Sequence, residues 1–585
     1  MGVVHITLNG MPYTVPDTYT ILEAAREAGI KIPTLCFLKD LNETGACRVC
    51  VVEVKGARSL VTACNMKVSE GMEIKTHSKR VLDARKMTVE LLLANHRVEC
   101  TTCERNHDCE LKQLSNDLNC DTHRFSGECR VPFYRDDSYS IVRDTSKCIL
   151  CGRCVAACRE KAGTEVLAFN QRGFQTYIGP AFEMSMDQAG CIHCGQCINV
   201  CPTAALSEHS TIDEVIQAID DPDKVVVFQV APAVRAALGE EFGLPIGTHV
   251  GGKIAAALRR IGGPTAKVFD TNFSADLTIM EEAYELLDRV KNNGVLPMIT
   301  SCSPGWIRLA EQYRPEILPH LSSCKSPQQM FGAILKSYWA EKNQVDPANI
   351  YCVSVMPCIA KKGELEREEM KTNGLQDVDA SITTRELARM IRMYGLDFVH
   401  LPDEAFDQPL SEYSGAGTIF GVTGGVMEAA LRTAADVLSG QSLEEITYHS
   451  VRGVDDLKEA TLTVGDLTLN VAVVHGGKHA LELVDQILKG QKQYHFVEIM
   501  GCSGGCVSGG GQPHVPASLY NAGVDVRSKR AQALYSDDER QHIRKSHENP
   551  VISALYQEYL GEPNSHKAHE LLHTTYVKRD IYSQD

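Results

Sequence analysis

The residues best able to do chemistry in this chain are its 23 cysteines, 17 of which fall within the first 201 positions. Cys36, Cys47, Cys50 and Cys64 are spaced C-x10-C-x2-C-x13-C. Two thiolates two residues apart can clasp one iron, and two more distant thiolates complete a 2Fe-2S centre. A four-cysteine zinc site is the alternative. His96, Cys100, Cys103 and Cys109 form H-x3-C-x2-C-x5-C, three thiolates and an imidazole that suit a 4Fe-4S cubane or zinc. Cys148, Cys151, Cys154 and Cys158 form C-x2-C-x2-C-x3-C, and Cys191, Cys194, Cys197 and Cys201 repeat it before Pro202. In this two-cluster pattern the fourth cysteine of each run ligates the other cluster. One cubane therefore takes Cys148, Cys151, Cys154 and Cys201, and the other takes Cys191, Cys194, Cys197 and Cys158. The first run ends in Arg159 where proline is usual, and His193 reads as a spacer. The array predicts one 2Fe-2S and three 4Fe-4S centres, several redox groups in a row that read as a wire.

Three further cysteine motifs follow: TSCSPGW (300–306), MPCIAKKGE (356–364) and EIMGCSGGCVSGGGQP (498–513). Each directly follows an apolar run that reads as a strand: VLPMIT (295–300), IYCVSVM (350–356) and HFVEIM (495–500). In parallel α/β sheets the ligand crevice lies beyond the carboxyl ends of the strands. Cys302, Cys358, Cys502 and Cys506 are therefore expected to converge at one rim, where four thiolates could hold one more cubane. Glycines 504, 505 and 509–511 would let backbone pack against something bulky.

Together these motifs resemble the iron-only (FeFe) hydrogenases. The family's signatures TSC-x-P-x-W, MPC-x-x-K-x-x-E and E-x-M-x-C-x-x-G-C-x-x-GGG-x-P occur here in order, behind a matching amino-terminal array. The resemblance implies an H-cluster: a 4Fe-4S cubane bridged through a cysteine to a diiron unit with CO, cyanide and an azadithiolate. It implies reversible oxidation of H2 to protons and electrons there, by heterolytic cleavage. By match to the motifs, Cys506 is the bridging thiolate, and Cys358 and Cys502 are cubane ligands. Lys361 would donate to a cyanide ligand, Met356 and Met500 would pack against the diiron unit, and Ala231 and Pro232 of QVAPAVR would line the cyanide side.

Many family members carry a tandem Cys-Cys in the first motif, one thiol relaying protons and one binding the cubane. Here the pair is Cys302-Ser303. The reading favours Cys302 at the cluster; the alternatives are Cys324 as fourth ligand, or Cys302 at the relay position with the fourth ligand unexplained. Glu282, Glu285 and Arg289 stand at i, i+3 and i+7 of one helix face. On spacing alone they read as a solvated charged face. They match the family's proton path, with Ser322 between the glutamates.

These residues need elements to position them. Residues 1–78 read as a β-grasp 2Fe-2S module, with a hairpin turning at Asn9-Gly10 and a short helix in TILEAAREAGI. Residues 79–118 hold the His/Cys cluster, opening with a helix over about 79–95, and 139–209 are a two-cluster ferredoxin module. Residues 210–515 alternate strand and helix, an α/β catalytic domain with a largely parallel sheet, and begin at a capping box of Ser210 and Asp213. Residues 516–585 resemble the family's small-subunit region, with helices around 538–547 and 549–561 that wrap the catalytic domain. The fold class is thus multidomain, α+β and α/β. Cys120, Cys129, Cys324 and Cys352 default to buried structural thiols.

Length and charge narrow the function classes. The chain has 585 residues and a net charge of −16, which argues against a general phosphate-backbone binder. Mean hydropathy is −0.17 and no long apolar run occurs, so no membrane span is expected. The start MGVVHITLNG has no basic segment followed by an apolar run, so a cytoplasmic protein is expected. No nucleotide-binding signature is found; GAGTIFG (415–421) is too short and in the wrong context. The resemblance is therefore to the catalytic subunit of a multimeric NAD(P)-linked, electron-bifurcating hydrogenase. It implies partner subunits that carry flavin, NAD(P) and 2Fe-2S groups, with ferredoxin as a further partner. The rival readings are an electron-transfer subunit of a respiratory or formate dehydrogenase, which would not need the motifs after residue 300, and an H2-sensing or cluster-assembly protein.

Overall fold

The structure is a computed structural model and describes residues 2–129, 135–439, 447–453, 455–464 and 467–582. The first module is a five-stranded sheet wrapped around a short helix. Val3–Leu8 and Met11–Pro16 pair antiparallel. Asn9 and Gly10 turn between them with φ of 51° and 87°, the left-handed pair that a two-residue hairpin needs. Helix Ile21–Glu27 starts at a capping box between Thr20 and Glu23, and buries Ile21, Leu22, Ala24 and Ala25. Helix Lys79–Ala94 follows, capped by Ser78.

In the ferredoxin module the short helices Arg153–Ala157 and Gln196–Val200 carry the two cysteine runs. Strand Ile141–Asp144 pairs antiparallel with Leu206–Glu208 and closes the module on itself. Ile141, Leu167, Ile178, Met186, Ile198 and Leu206 pack around those cysteines in one apolar cluster.

The catalytic domain differs from the single sheet expected. It contains two four-stranded sheets. One runs in the order Lys267–Asp270, Val225–Val230, Ile350–Met356, Ala380–Thr383, every neighbour parallel. The other runs Met298–Ile299, Phe496–Met500, Leu467–His475, Leu457–Val464, with only the last pair antiparallel. The apolar strands thus divide between two layers, because β-strand periodicity reports burial and not sheet membership. The 20-residue helix Asn272–Lys291 buries Phe273, Leu277 and Met280 on one side, and Ala275, Ile279 and Leu286 on another.

Two local expectations are corrected. Helix Ile212–Asp220 has Thr211 as its cap with no side-chain capping bond, so the Ser210–Asp213 box does not form. Beyond residue 516 the long helix is Val526–Arg540, followed by a short turn at Ser546–Glu548, and not a helix over 538–547. Its buried Arg530 and Asp538 pair with Glu240 and Arg432, so charged residues hidden by ion pairs disguised the helix's inner face. The helical stretch Pro550–Leu560 stands where the second helix was expected. Among the described residues no helix is long and apolar enough to cross a membrane.

Candidate active site

Strand ends build the central cavity. Val230, Asp270, Ile299, Met356 and Met500 each finish a parallel strand, and the residues just beyond them line one cavity. The first sheet supplies Ala231, Pro232, Thr271, Met356, Pro357 and Cys358; the second supplies Cys302, Ser303, Met500, Gly501, Cys502 and Cys506. Lys361 reaches in from helix Ala360–Leu365. The cavity therefore sits between the carboxyl ends of two sheets rather than at the rim of one. Sequence reasoning did not find its neighbours Gln328, Phe420 and Gly421; the last two lie in the glycine-rich segment set aside as a failed nucleotide motif.

The donor set fits an iron–sulfur group. Burial pushes the Cys358 and Cys502 thiols up, and pushes Cys506 up to about 12, because the polypeptide offers a thiolate little compensating charge there. Iron is the partner that would make three buried sulfurs anionic. Lys361 is almost buried, and its Nζ is held by Glu364 Oε2 at 3.0 Å.

Cys302 stands between the cavity and the helix that carries Glu282. It packs against the apolar cluster containing Ala275, Ile279 and Met500, and the charges acting on it most are Glu282, Cys506 and Lys361. The sequence favoured it among the cubane thiols, and the structure places it in the same cavity as Cys358, Cys502 and Cys506, with Glu282 close by. Cys324 is buried outside the cavity, its Sγ 3.9 Å from Glu285 Oε2.

Glu282 is fully buried, with the Ser322 hydroxyl and the Ser301 backbone near its carboxyl group. Burial first, and then the negative charge of Glu285, push its pKa up to about 8. Farther along the same helix Ser322 Oγ donates to Glu285 Oε2 at 2.9 Å, and Arg289 donates to Glu285 Oε1 at 2.6 Å. Arg289 and Glu285 are partly exposed, so this helix face passes from buried at Glu282 to solvent-reached at Arg289. The carboxyl-terminal segment braces it, a contact that sequence reasoning missed. His573 Nδ1 lies 2.8 Å from Ser323 Oγ, its Nε2 lies 3.0 Å from Glu281 Oε2, and the Tyr556 hydroxyl also reaches Glu281.

The amino-terminal cysteines group as follows. Cys36 lies against Cys47, and Cys50 against Cys64, all four buried. Cys148, Cys151 and Cys154 line a second cavity together with Cys201 from the other run. Cys191, Cys197 and Cys158 surround Cys194. His96 Nδ1 donates to the Lys147 carbonyl at 3.1 Å, which leaves Nε2 with the free lone pair a metal needs. Cys109 caps helix Glu110–Asp117, its sulfur accepting from Lys112 N at 3.4 Å. Of the unassigned thiols Cys352 and Cys324 are buried as expected, whereas Cys129 is exposed and Cys120 half-buried.

The modules join at short contacts. Asn42 Nδ2 donates to the carbonyls of Cys36 and Cys151, at 2.8 and 3.0 Å. At the other end Gly195 and Gly510 pack backbone on backbone; a Cβ on Gly510 would stand 2.3 Å from the Cys194 carbonyl oxygen. Arg385 clamps this seam, donating to the Gly510 carbonyl at 2.7 Å and to Glu208 at 2.9 Å.

A chain that gathers buried sulfur at two sheets' strand ends, behind a ferredoxin-like array, belongs to a recognisable class: it is a member of the iron-only (FeFe) hydrogenases. The model of the iron-only hydrogenase large subunit, C-terminal domain, matches residues 224–510, and that of the iron hydrogenase small subunit matches 524–579. Models of a 2Fe-2S cluster binding domain, the NADH-ubiquinone oxidoreductase-G iron–sulfur binding region and a 4Fe-4S dicluster domain match 2–79, 85–124 and 147–205. The chain is 47% identical to the NADP-reducing hydrogenase subunit HndD of Solidesulfovibrio fructosivorans, over 99% of this chain and all of that one. It is 46% identical to iron hydrogenase 1 of Clostridium pasteurianum, over 98% of this chain and all of that one. A solved structure of a variant of apo [FeFe]-hydrogenase HydA1 from Chlamydomonas reinhardtii superposes with a TM-score of 0.56 at 42% identity, covering 63% of this chain and all of that chain. The chain is a hydrogenase catalytic subunit whose iron–sulfur domains transfer electrons.

Proposed function

We propose that the cavity between the two sheets oxidises H2 reversibly, and that the electrons leave to partner subunits that reduce NAD(P). The observation that carries this reading is the meeting of Cys358, Cys502 and Cys506 with Met356, Met500 and Lys361 in one cavity. When bound, an H-cluster supplies the open iron and the azadithiolate base at which H2 is cleaved heterolytically. Cys506 would be its bridging thiolate, and Cys358 and Cys502 would hold its cubane. Lys361 Nζ, steadied by Glu364, would donate toward a cyanide ligand. Met356, Met500, Ala231 and Pro232 form an apolar wall that keeps water from the reacting centre.

Protons travel by side chains. Cys302 exchanges a proton with the cavity on one side and with Glu282 on the other. With a pKa near 8 Glu282 is protonated at neutral pH yet close enough to titrate, so it can both give and take. Ser322, Glu285 and Arg289 complete the exit. Electrons use four further centres, one 2Fe-2S and three 4Fe-4S. The Asn42 bridge and the His96–Lys147 bond give the first ferredoxin site two inlets, which suits more than one donor or acceptor subunit. The partners are subunits carrying flavin, NAD(P) and 2Fe-2S groups, with ferredoxin as a second electron carrier.

The test is infrared spectroscopy of the matured chain, alone and with its co-purified subunits. Bands of iron-bound CO and cyanide, together with H2-dependent NADP reduction by the complex, are expected. A fully matured sample without those bands overturns the reading.

A further inference from the structure

Four thiols line the cavity, and Cys302 shares its turn with Ser303. We infer that the Ser303 side-chain oxygen is the fourth protein donor to the cubane held by Cys358, Cys502 and Cys506. The inference rests on the H-cluster reading above and sharpens it.

Three observations support it. Ser303 lines the same cavity as those thiols, at the start of helix Pro304–Tyr313. Its Oγ accepts a hydrogen bond from Gly501 N at 3.2 Å, and Gly501 immediately precedes Cys502. The hydroxyl is thus tied to the turn that presents a cubane thiol, and among the described residues it donates to no protein acceptor. Of the competing sulfurs, Cys302 lines the cavity but packs against Ala275 and Ile279 and has Glu282, not Cys358 or Cys502, as its foremost charged neighbour, and Cys324 lies buried beside Glu285. Other polar groups at the cavity are already engaged, Gln328 with Glu364 and Ser354, and Thr271 with Gln229.

Ligation replaces a hydroxide on the fourth iron. The Fe–O bond to serine forms, the hydroxide leaves, and it departs as water with the Oγ proton; no electron moves. The Gly501 N–H then donates to an anionic oxygen, which strengthens that bond. Oxygen is a harder donor than sulfur and favours the more oxidised cluster. The serine-ligated cubane therefore has a lower reduction potential than the all-thiolate one.

The experiment compares the full-length matured chain with its Ser303→Cys and Ser303→Ala variants. Infrared spectroelectrochemistry reads the CO and cyanide bands, which shift with the charge on the bridged cubane and ignore the four distant clusters. Ser303→Cys is expected to move the cubane's midpoint potential upward with the bands otherwise retained. Ser303→Ala is expected to lose one iron per chain on mild oxidation and to gain the electron paramagnetic resonance signal of a three-iron cluster. Unchanged potential in Ser303→Cys, with unchanged iron content in Ser303→Ala, overturns the serine assignment alone. Absence of CO and cyanide bands in the matured parent overturns the H-cluster reading, and the serine assignment with it.

Discussion

In the amino-terminal array, most thiols that work together stand two to five residues apart, and a single turn presents them: Cys47 with Cys50, Cys100 with Cys103, Cys148 with Cys151 and Cys154. In the catalytic domain Cys302, Cys358 and Cys502 come from three turns that meet only because strands of two sheets end at the same cavity. A site of the first kind needs a loop and a metal. A site of the second kind needs the whole domain folded first. Only the crossing of Cys158 and Cys201 gives the array a comparable long-range dependence.

The contrast is broken most forcefully at Cys506. Cys506→Ala is expected to reduce H2 turnover to background and abolish the CO and cyanide bands, while the paramagnetic signals of the array persist. Loss of array signals as well would mean that the two regions are one cooperative unit.

Glu282→Gln comes next. General acid–base groups typically contribute about 10²- to 10⁴-fold, and a loss in that range is expected with all clusters retained. The variant also has a pH signature. Between the ordinary 4.5 and about 8 the unfolded chain gives up a proton that the folded chain keeps on Glu282, so burial of this group costs more stability as pH rises through that window. The gain in Tm from Glu282→Gln should therefore be small at pH 5 and largest at pH 8. A gain that shrinks with rising pH would contradict the buried, proton-holding carboxyl.

The mildest probe is the seam. Gly510→Ala places a methyl 2.3 Å from the Cys194 carbonyl oxygen, and overpacking of this kind costs about 1–3 kcal/mol. Turnover with the native acceptor should fall more than hydrogen–deuterium exchange, which needs no electron exit. Equal losses in both assays would show that the substitution disturbs the cavity and not the junction.

Much of this organisation was legible in the sequence, because thiol spacing is a local code and strand-then-cysteine order is a topological one. The hairpin at Asn9-Gly10 and the motif cysteines after three apolar strands were readable on those grounds. The division into two sheets was not, since an apolar run carries no record of its neighbours. The nearness of Cys302 to Glu282 was equally hidden, because a turn and a helix 20 residues apart in sequence carry no mutual spacing signal. Helix Val526–Arg540 was misplaced because its inner face is lined by paired charges.

The brace from His573 to Ser323 and Glu281 ties the carboxyl-terminal segment to helix Asn272–Lys291. Cleavage of the chain ahead of His573 is therefore expected to loosen the helix that carries Glu282 and Glu285 while the strand-end turns of Cys358 and Cys502 stay in place.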